Sequence, residues 1–263
     1  MGRSHWADHT ADWGRIRTPL RPNGEVVDAM DALLAEHRGP TLLLGVTQEL
    51  ASIGPDVTAV ERNPSVIANV WPGDGPNRRA IAGDWMDVGL ERRRFVAAVG
   101  DGSINSVRYA TTGRLLGAVA GVLEPGGRLV CRAFVTPDPG ESVDAVQARA
   151  LAGASPNFHA FKWELTMAIV TEDGDADIRV QRILDVFDAR FPDRDAAAAA
   201  AGWHPADVAT IDAYRGSDEV YSFPTAADVL AVVPEQFTDA RFVAAGTYDL
   251  AERCPLFVAD RTV

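Results

Sequence analysis

The chain has 263 residues, a formal net charge of −12, 47% hydrophobic residues and two cysteines. That length suits one large α/β domain, or one carrying a substantial insertion, and the apolar content is ample for a core. The acidic balance repels a phosphate backbone and so argues against nucleic acid or an anionic membrane as partner, and no apolar run is long enough to span a bilayer.

Residues 1–24 are polar, with Trp6 and Trp13 embedded, and Pro19 and Pro22 forbid a continuous helix at their end. No apolar h-region occurs there, so the expectation is a cytoplasmic protein. His5 and His9 stand four apart with Asp8 and Asp12 nearby. Without H-E-x-x-H or cysteine support, no metal site is expected. Residues 25–37 read as a helix, with Val26, Met30, Leu33 and Leu34 at helical spacing and Gly39-Pro40 as the stop. Strands are expected at 41–46, 57–61, 79–82, 95–99 and 127–135. A helix opening on Asn63-Pro64 and another over 104–123 fall between them. Strands alternating with helices imply a parallel sheet covered on both faces.

After residue 135 the pattern turns helical for about a hundred residues. Helices are expected over 158–170, around Ile183 to Phe191, and through the alanines at 196–201. Thr225-Ala226-Ala227-Asp228 reads as a capping box. Phe158, Phe161 and Leu165 form a packing stripe. His159, Lys162, Trp163, Tyr214 and Tyr221 are candidates for a substrate pocket, with surface or core as the plain alternative for each. Strands at 241–248 and 256–260 follow, joined by only seven residues that include Pro255. A parallel crossover needs a dozen or more, so this pair is expected to be antiparallel, which puts one reversed strand into the sheet. A nicotinamide-binding domain would not end that way. Cys131 and Cys254 lie in apolar runs without a C-x-x-C pair and are expected as buried thiols.

The chemistry-bearing residues sit at strand ends. Leu44-Gly45-Val46-Thr47 closes the first strand and Glu61-Arg62 the second, with Ala82-Gly83-Asp84-Trp85 after the third and Gly100-Asp101-Gly102-Ser103 after the fourth. A glycine that lets backbone approach a ligand, then an acid one strand later, is the skeleton of a nucleoside-binding βαβ unit. Glu61 could also be an ordinary strand end, Trp85 could be core, and Asp101 could be a turn residue, a ligand acceptor or a general base.

In the order and spacing of these pieces, with Leu123-Glu124-Pro125-Gly126-Gly127 before the fifth strand and a reversed last strand, the chain resembles the class I S-adenosylmethionine (SAM)-dependent methyltransferases. The resemblance covers about residues 35–135 and 240–263. It implies a Rossmann-like, mostly parallel seven-stranded sheet with the last strand antiparallel and a helical cap between the fifth and sixth. On that basis 1–24 would be an N-terminal lid segment, 25–135 and 240–263 the SAM-binding part, and 136–239 a substrate cap. It further implies SAM as cofactor, with Gly45, Val46 and Thr47 beneath its methionine part and Glu61 on the ribose. Arg62 lies beside Glu61, Asp84 and Trp85 would be at the adenine, and Asp101, Gly102 and Ser103 would face the methyl group. The family's acid two residues before the first glycine is here Leu43, and two of its glycines are Thr47 and Glu49. Glu49, or Arg21 gripping the methionine carboxylate, is the expected compensation. The catalytic candidates are Asp101 and His159. The implied activity is methyl transfer to a small molecule, with the chain a monomer or homodimer. Alternatives are aminocarboxypropyl transfer or SAM cyclisation on the same fold, or a non-catalytic SAM-binding protein.

Overall fold

The computed structural model of the chain describes residues 14–86 and 94–263. The His5/His9 pair, and most of the N-terminal segment, lie outside the described residues. Helix α1 (Gly24–Leu33) begins at Asn23, whose side chain accepts from the Val26 N–H, and it buries Val26 and Met30. The strands follow the apolar runs: β1 (Pro40–Leu44), β2 (Asp56–Glu61), β3 (Arg78–Ala82), β4 (Phe95–Asp101) and β5 (Leu123–Arg132). Helix α2 (Pro64–Val70) is capped by Asn63 with proline in its first turn, as its sequence predicts.

Helix α3 (Thr112–Val122) is shorter than the 104–123 expected. Asn105 explains the difference. Its buried side chain donates to the carbonyls of Phe134 (2.8 Å) and Ser222 (2.7 Å) and accepts from the Phe134 N–H (2.9 Å). A side chain bonded to the backbone of two other segments holds residues 102–107 in turns where local propensity would have allowed helix, and only a 3-10 turn at Tyr109–Thr111 precedes α3.

Between β5 and the next sheet strand lie α4 (Val143–Leu151), α5 (Phe158–Asp173), α6 (Val180–Arg190), α7 (Arg194–Ala201) and α8 (Pro205–Ala209), then α9 (Ala226–Ala231) with its capping box. This section is not wholly helical. The short strands β6 (Asp177–Arg179) and β7 (Val220–Ser222) pair antiparallel within it. Helix α5 is buried on nearly every side, so the stripe read from Phe158, Phe161 and Leu165 understates it: Trp163, Met167 and Ala168 are buried as well. Phe158, Phe161, Phe187, Phe191 and Trp203 pack ring against ring here, with centroids 4.4–6.4 Å apart.

The sheet closes with β8 (Phe237–Val243) and β9 (Leu256–Arg261), in the order β3-β2-β1-β4-β5-β9-β8. Strands β1 to β5 pair in parallel, and β9 runs antiparallel to both β5 and β8. The reversed strand therefore lies between its two neighbours. One sheet face packs on α1 through Val26, Met30 and Leu43, and the other on α3 through Leu115, Leu116 and Val119. Asn105→Ala would leave three backbone groups short of a partner and should lower unfolding stability by about 3 kcal/mol, read from urea denaturation.

Candidate active site

Backbone register sets the site. Leu44 is level with Val60 on one side and with Gly100 on the other. The next residues, Gly45, Glu61 and Asp101, thus emerge together at the carboxyl ends of three parallel strands, where doubly wound sheets bind ligands. They line a cleft enclosing about 850 Å³ of empty space, part of it open to solvent.

Gly45 has φ +95° and its N–H donates to the Val60 carbonyl at 2.8 Å. An L side chain is strained at that φ, and its absence keeps the cleft floor open. The same carbonyl accepts from Trp85 Nε1 at 2.6 Å, which anchors the half-buried indole above Gly45. Val46 and Thr47 continue the floor, and Asp84 lines the far wall with Oδ1 accepting from the Met86 N–H at 2.8 Å. Glu61 Oε1 accepts from the Asn63 N–H at 2.8 Å. Burial pushes the Glu61 carboxyl above the usual carboxylate range, against the pull of that N–H. Arg62 reaches over the cleft to Glu219, 3.0 Å away in the section between β5 and β8.

Asp101 lines the cleft but is not placed as a free base. Its carboxylate receives Nε and Nη2 of the fully buried Arg132 at 2.5 and 3.1 Å. Burial pushes its carboxyl above the usual carboxylate range, against the pull of the guanidinium. The remaining expected residues do not line the cleft. Gly102, at φ +65°, is packed against the Phe134 ring, and Ser103 turns inward to donate to the Leu44 carbonyl at 3.1 Å. Arg21 Nε is paired with Glu49, so the two residues expected to compensate for Leu43 hold each other. Leu43 itself is fully buried in the core.

His159 is a correction. It is buried on α5, its Nε2 lies 3.2 Å from the Arg15 carbonyl, and burial with the nearby Lys162 charge lowers its pKa to about 4. It faces the core of the section after β5. Lys162 is fully buried, with Nζ unbonded and 5.1 Å from the Tyr214 ring centroid, and burial lowers its pKa to about 7. Of the five candidates for a substrate pocket, Tyr221 alone lines the cleft. Trp163 stands behind it, centroids 6.1 Å apart. Ser106, Val107, Val66, Val70 and Glu219 also line the cleft and were not anticipated. Val66 and Val70 follow from the position of α2 after Glu61, a signal present in the sequence. Glu219 and Tyr221 have the alternation of a strand, but three residues carry no readable period.

Neither a protein-family model nor a curated protein sequence matches the chain. Among solved structures it superposes on a provisionally assigned zinc-dependent alcohol dehydrogenase from Rhodobacter sphaeroides, at 13% identity over 100% of both chains with a TM-score of 0.59. A provisionally assigned O-methyltransferase from Nostoc punctiforme superposes at 12% identity over 97% of this chain and 60% of that one, with a TM-score of 0.50. With the strand order and the reversed strand, this places the architecture. The fold is that of the class I SAM-dependent methyltransferases. The N-methyltransferase NodS from Bradyrhizobium japonicum with bound S-adenosylhomocysteine also matches, at 11% identity over 98% and 99% of the two chains and a TM-score of 0.49. Among the described residues, no group of three or more His, Cys, Asp or Glu is arranged to hold a metal ion, and no helix is long and apolar enough to cross a membrane.

Burial of Lys162 couples the stability of the fold to pH. The lysine's folded-state value, about 7, lies below the ordinary ammonium value, so the unfolded chain binds the extra proton between the two. Its presence therefore costs stability increasingly as pH falls from about 10 towards 7, and the cost levels off below. Lys162→Met should stabilise the fold by roughly 3 kcal/mol more at pH 7 than at pH 10, measured by denaturant unfolding at both.

Proposed function

We propose that the chain is a SAM-dependent methyltransferase acting on a small-molecule acceptor. The observation that carries this reading is the level convergence of Gly45, Glu61 and Asp101 at three parallel strand ends, with Asp84 and Trp85 one strand further. The cleft fits such a cofactor on its own chemistry. It offers a bare backbone at Gly45, a partly desolvated carboxylate at Glu61 for vicinal hydroxyls, and an aromatic edge at Trp85. Gly45, Val46 and Thr47 would lie under the amino-acid part, Glu61 at the ribose with Arg62 beside it, and Asp84 and Trp85 at the base. Gly102 and Ser103 hold the floor from behind. Bound SAM supplies a methyl group already activated on a sulfonium.

What the chain must then do is position an acceptor and exclude water. Tyr221 and the Arg62–Glu219 pair cover the cleft, and Phe134 and Trp163 pack behind Tyr221 as apolar support. An acceptor that arrives unprotonated needs no base, consistent with an Asp101 already held by Arg132. The chain's acidic balance accords with a small-molecule acceptor in preference to a nucleic acid.

Titration calorimetry with SAM and S-adenosylhomocysteine tests the reading, and absence of binding by both would sink it. Glu61→Ala should weaken S-adenosylhomocysteine about 10- to 100-fold, the range for hydrogen bonds to a charged group. Product analysis separates methyl transfer, which leaves S-adenosylhomocysteine, from the alternative uses of SAM, which leave methylthioadenosine.

A further inference from the structure

Arg132 ends β5, and its register partner on the parallel neighbour β4 is Asp101. Paired residues on adjacent strands point to the same side, so the two side chains meet without any loop to position them. Every part of the guanidinium is engaged. Nε and Nη2 go to Asp101, Nη1 donates to the Tyr248 hydroxyl at 3.2 Å, and the Phe134 ring lies 5.2 Å from the guanidinium carbon. The arginine is 0% and the aspartate 7% exposed, yet Asp101 forms part of the cleft wall. A buried ion pair gains little stability over an apolar pair of the same volume, so one at the wall of a cleft calls for another explanation. A carboxylate with a guanidinium behind it is fixed in orientation, and each oxygen keeps a lone pair for a further donor.

We propose that Arg132 is a positioning residue that fixes Asp101 as an anionic acceptor for the primary ammonium at the amino-acid end of the ligand. This rests on the SAM reading above. It also supplies the anionic contact that Leu43, turned into the core, cannot. The titratable groups around Asp101 are Arg132 and Cys131 on β5, Glu49 on the turn after β1, and Tyr248 and Cys254 on the loop joining β8 to β9. Burial raises the pKa of Cys131 to about 11 and those of Tyr248 and Cys254 to about 12, so none of these three titrates near neutrality. Without Arg132, burial and the Glu49 charge would both act on Asp101 unopposed, and the carboxyl would take up a proton at higher pH.

Calorimetry should compare S-adenosylhomocysteine with methylthioadenosine, which shares the adenosine and thioether but lacks the amino-acid end. Arg132→Lys should weaken S-adenosylhomocysteine about tenfold and leave methylthioadenosine within about twofold, with Asp101→Asn reproducing the loss. In Arg132→Met, S-adenosylhomocysteine affinity should decline with falling pH sooner than in the wild type. The same shift should persist in a Glu49→Gln background. Equal weakening of both ligands would show a merely structural role and overturn the proposal, as would unchanged affinity for both or superimposable pH profiles. If Arg132→Met does not fold, the ratio of the two ligand affinities in Arg132→Lys decides. A wild-type chain that binds neither ligand defeats the SAM reading and this inference with it. One that binds both while the variants leave their ratio unchanged defeats the inference alone.

Discussion

Parallel pairing of β1 with both β2 and β4 aligns Leu44, Val60 and Gly100 in one row, and the site depends on that row. A slip of one residue in either pairing would turn every side chain of a strand to the other face. It would bury Glu61 or Asp101 without a partner and move Gly45 out of line. The apolar strand interiors prevent the slip: Leu42, Leu43 and Leu44 on β1 and Val57, Ala59 and Val60 on β2 are almost completely buried. The specificity of the site is in this sense a consequence of packing in the strands below it.

The C-terminal hairpin extends the same control to the fifth strand. Because β9 runs against β5, the loop joining β8 to β9 returns to the carboxyl end of β5, where the site is. There the Ala133 and Val135 N–H groups donate to the Pro255 and Arg253 carbonyls at 3.0 and 2.9 Å, and Tyr248 meets Arg132. A parallel strand in that place would start at the other end of β5 and leave the loop that precedes it far from the site. The reversal thus contributes to the site as well as to the fold. It supplies the outer wall of the pocket that holds the Arg132 guanidinium.

Much of this was legible in the sequence, and the limits have physical causes. Apolar runs ending at Gly45, Glu61 and Asp101 located the strands, and the short connection between the last two dictated their antiparallel pairing. What was missed depends on contacts between distant segments. Asn105 is bonded to Phe134 and Ser222, 29 and 117 residues away, and no local pattern announces that a helix should start late because of it. Arg132 lies inside the 127–135 run expected as the fifth strand, and only the register of β5 against β4 shows that it faces Asp101. Glu219 reaches the cleft from just before β7, a strand too short to carry a period. His159 misled for the opposite reason. A histidine on a mostly apolar helix offers chemistry in the sequence, and burial then removes it from solvent and from the cleft.

The eroded glycine loop has a simple geometric account. After β1 the chain needs one left-handed residue, and Gly45 supplies it at φ +95°. Thr47 sits at φ −52° and Glu49 lies in the 3-10 turn Gln48–Leu50, conformations open to any L residue. Glycine at those two positions would relax the unfolded chain without relieving any strain in the folded one, so their replacement costs the loop nothing and stiffens it. It also allows a side chain to do work there. Glu49 takes Arg21 from the N-terminal segment, tying residues before α1 to the turn beneath the cleft. In place of glycines, the loop is held by an ion pair on one side and by the Val60 carbonyl on the other, and Gly45 presents a bare backbone to the cleft.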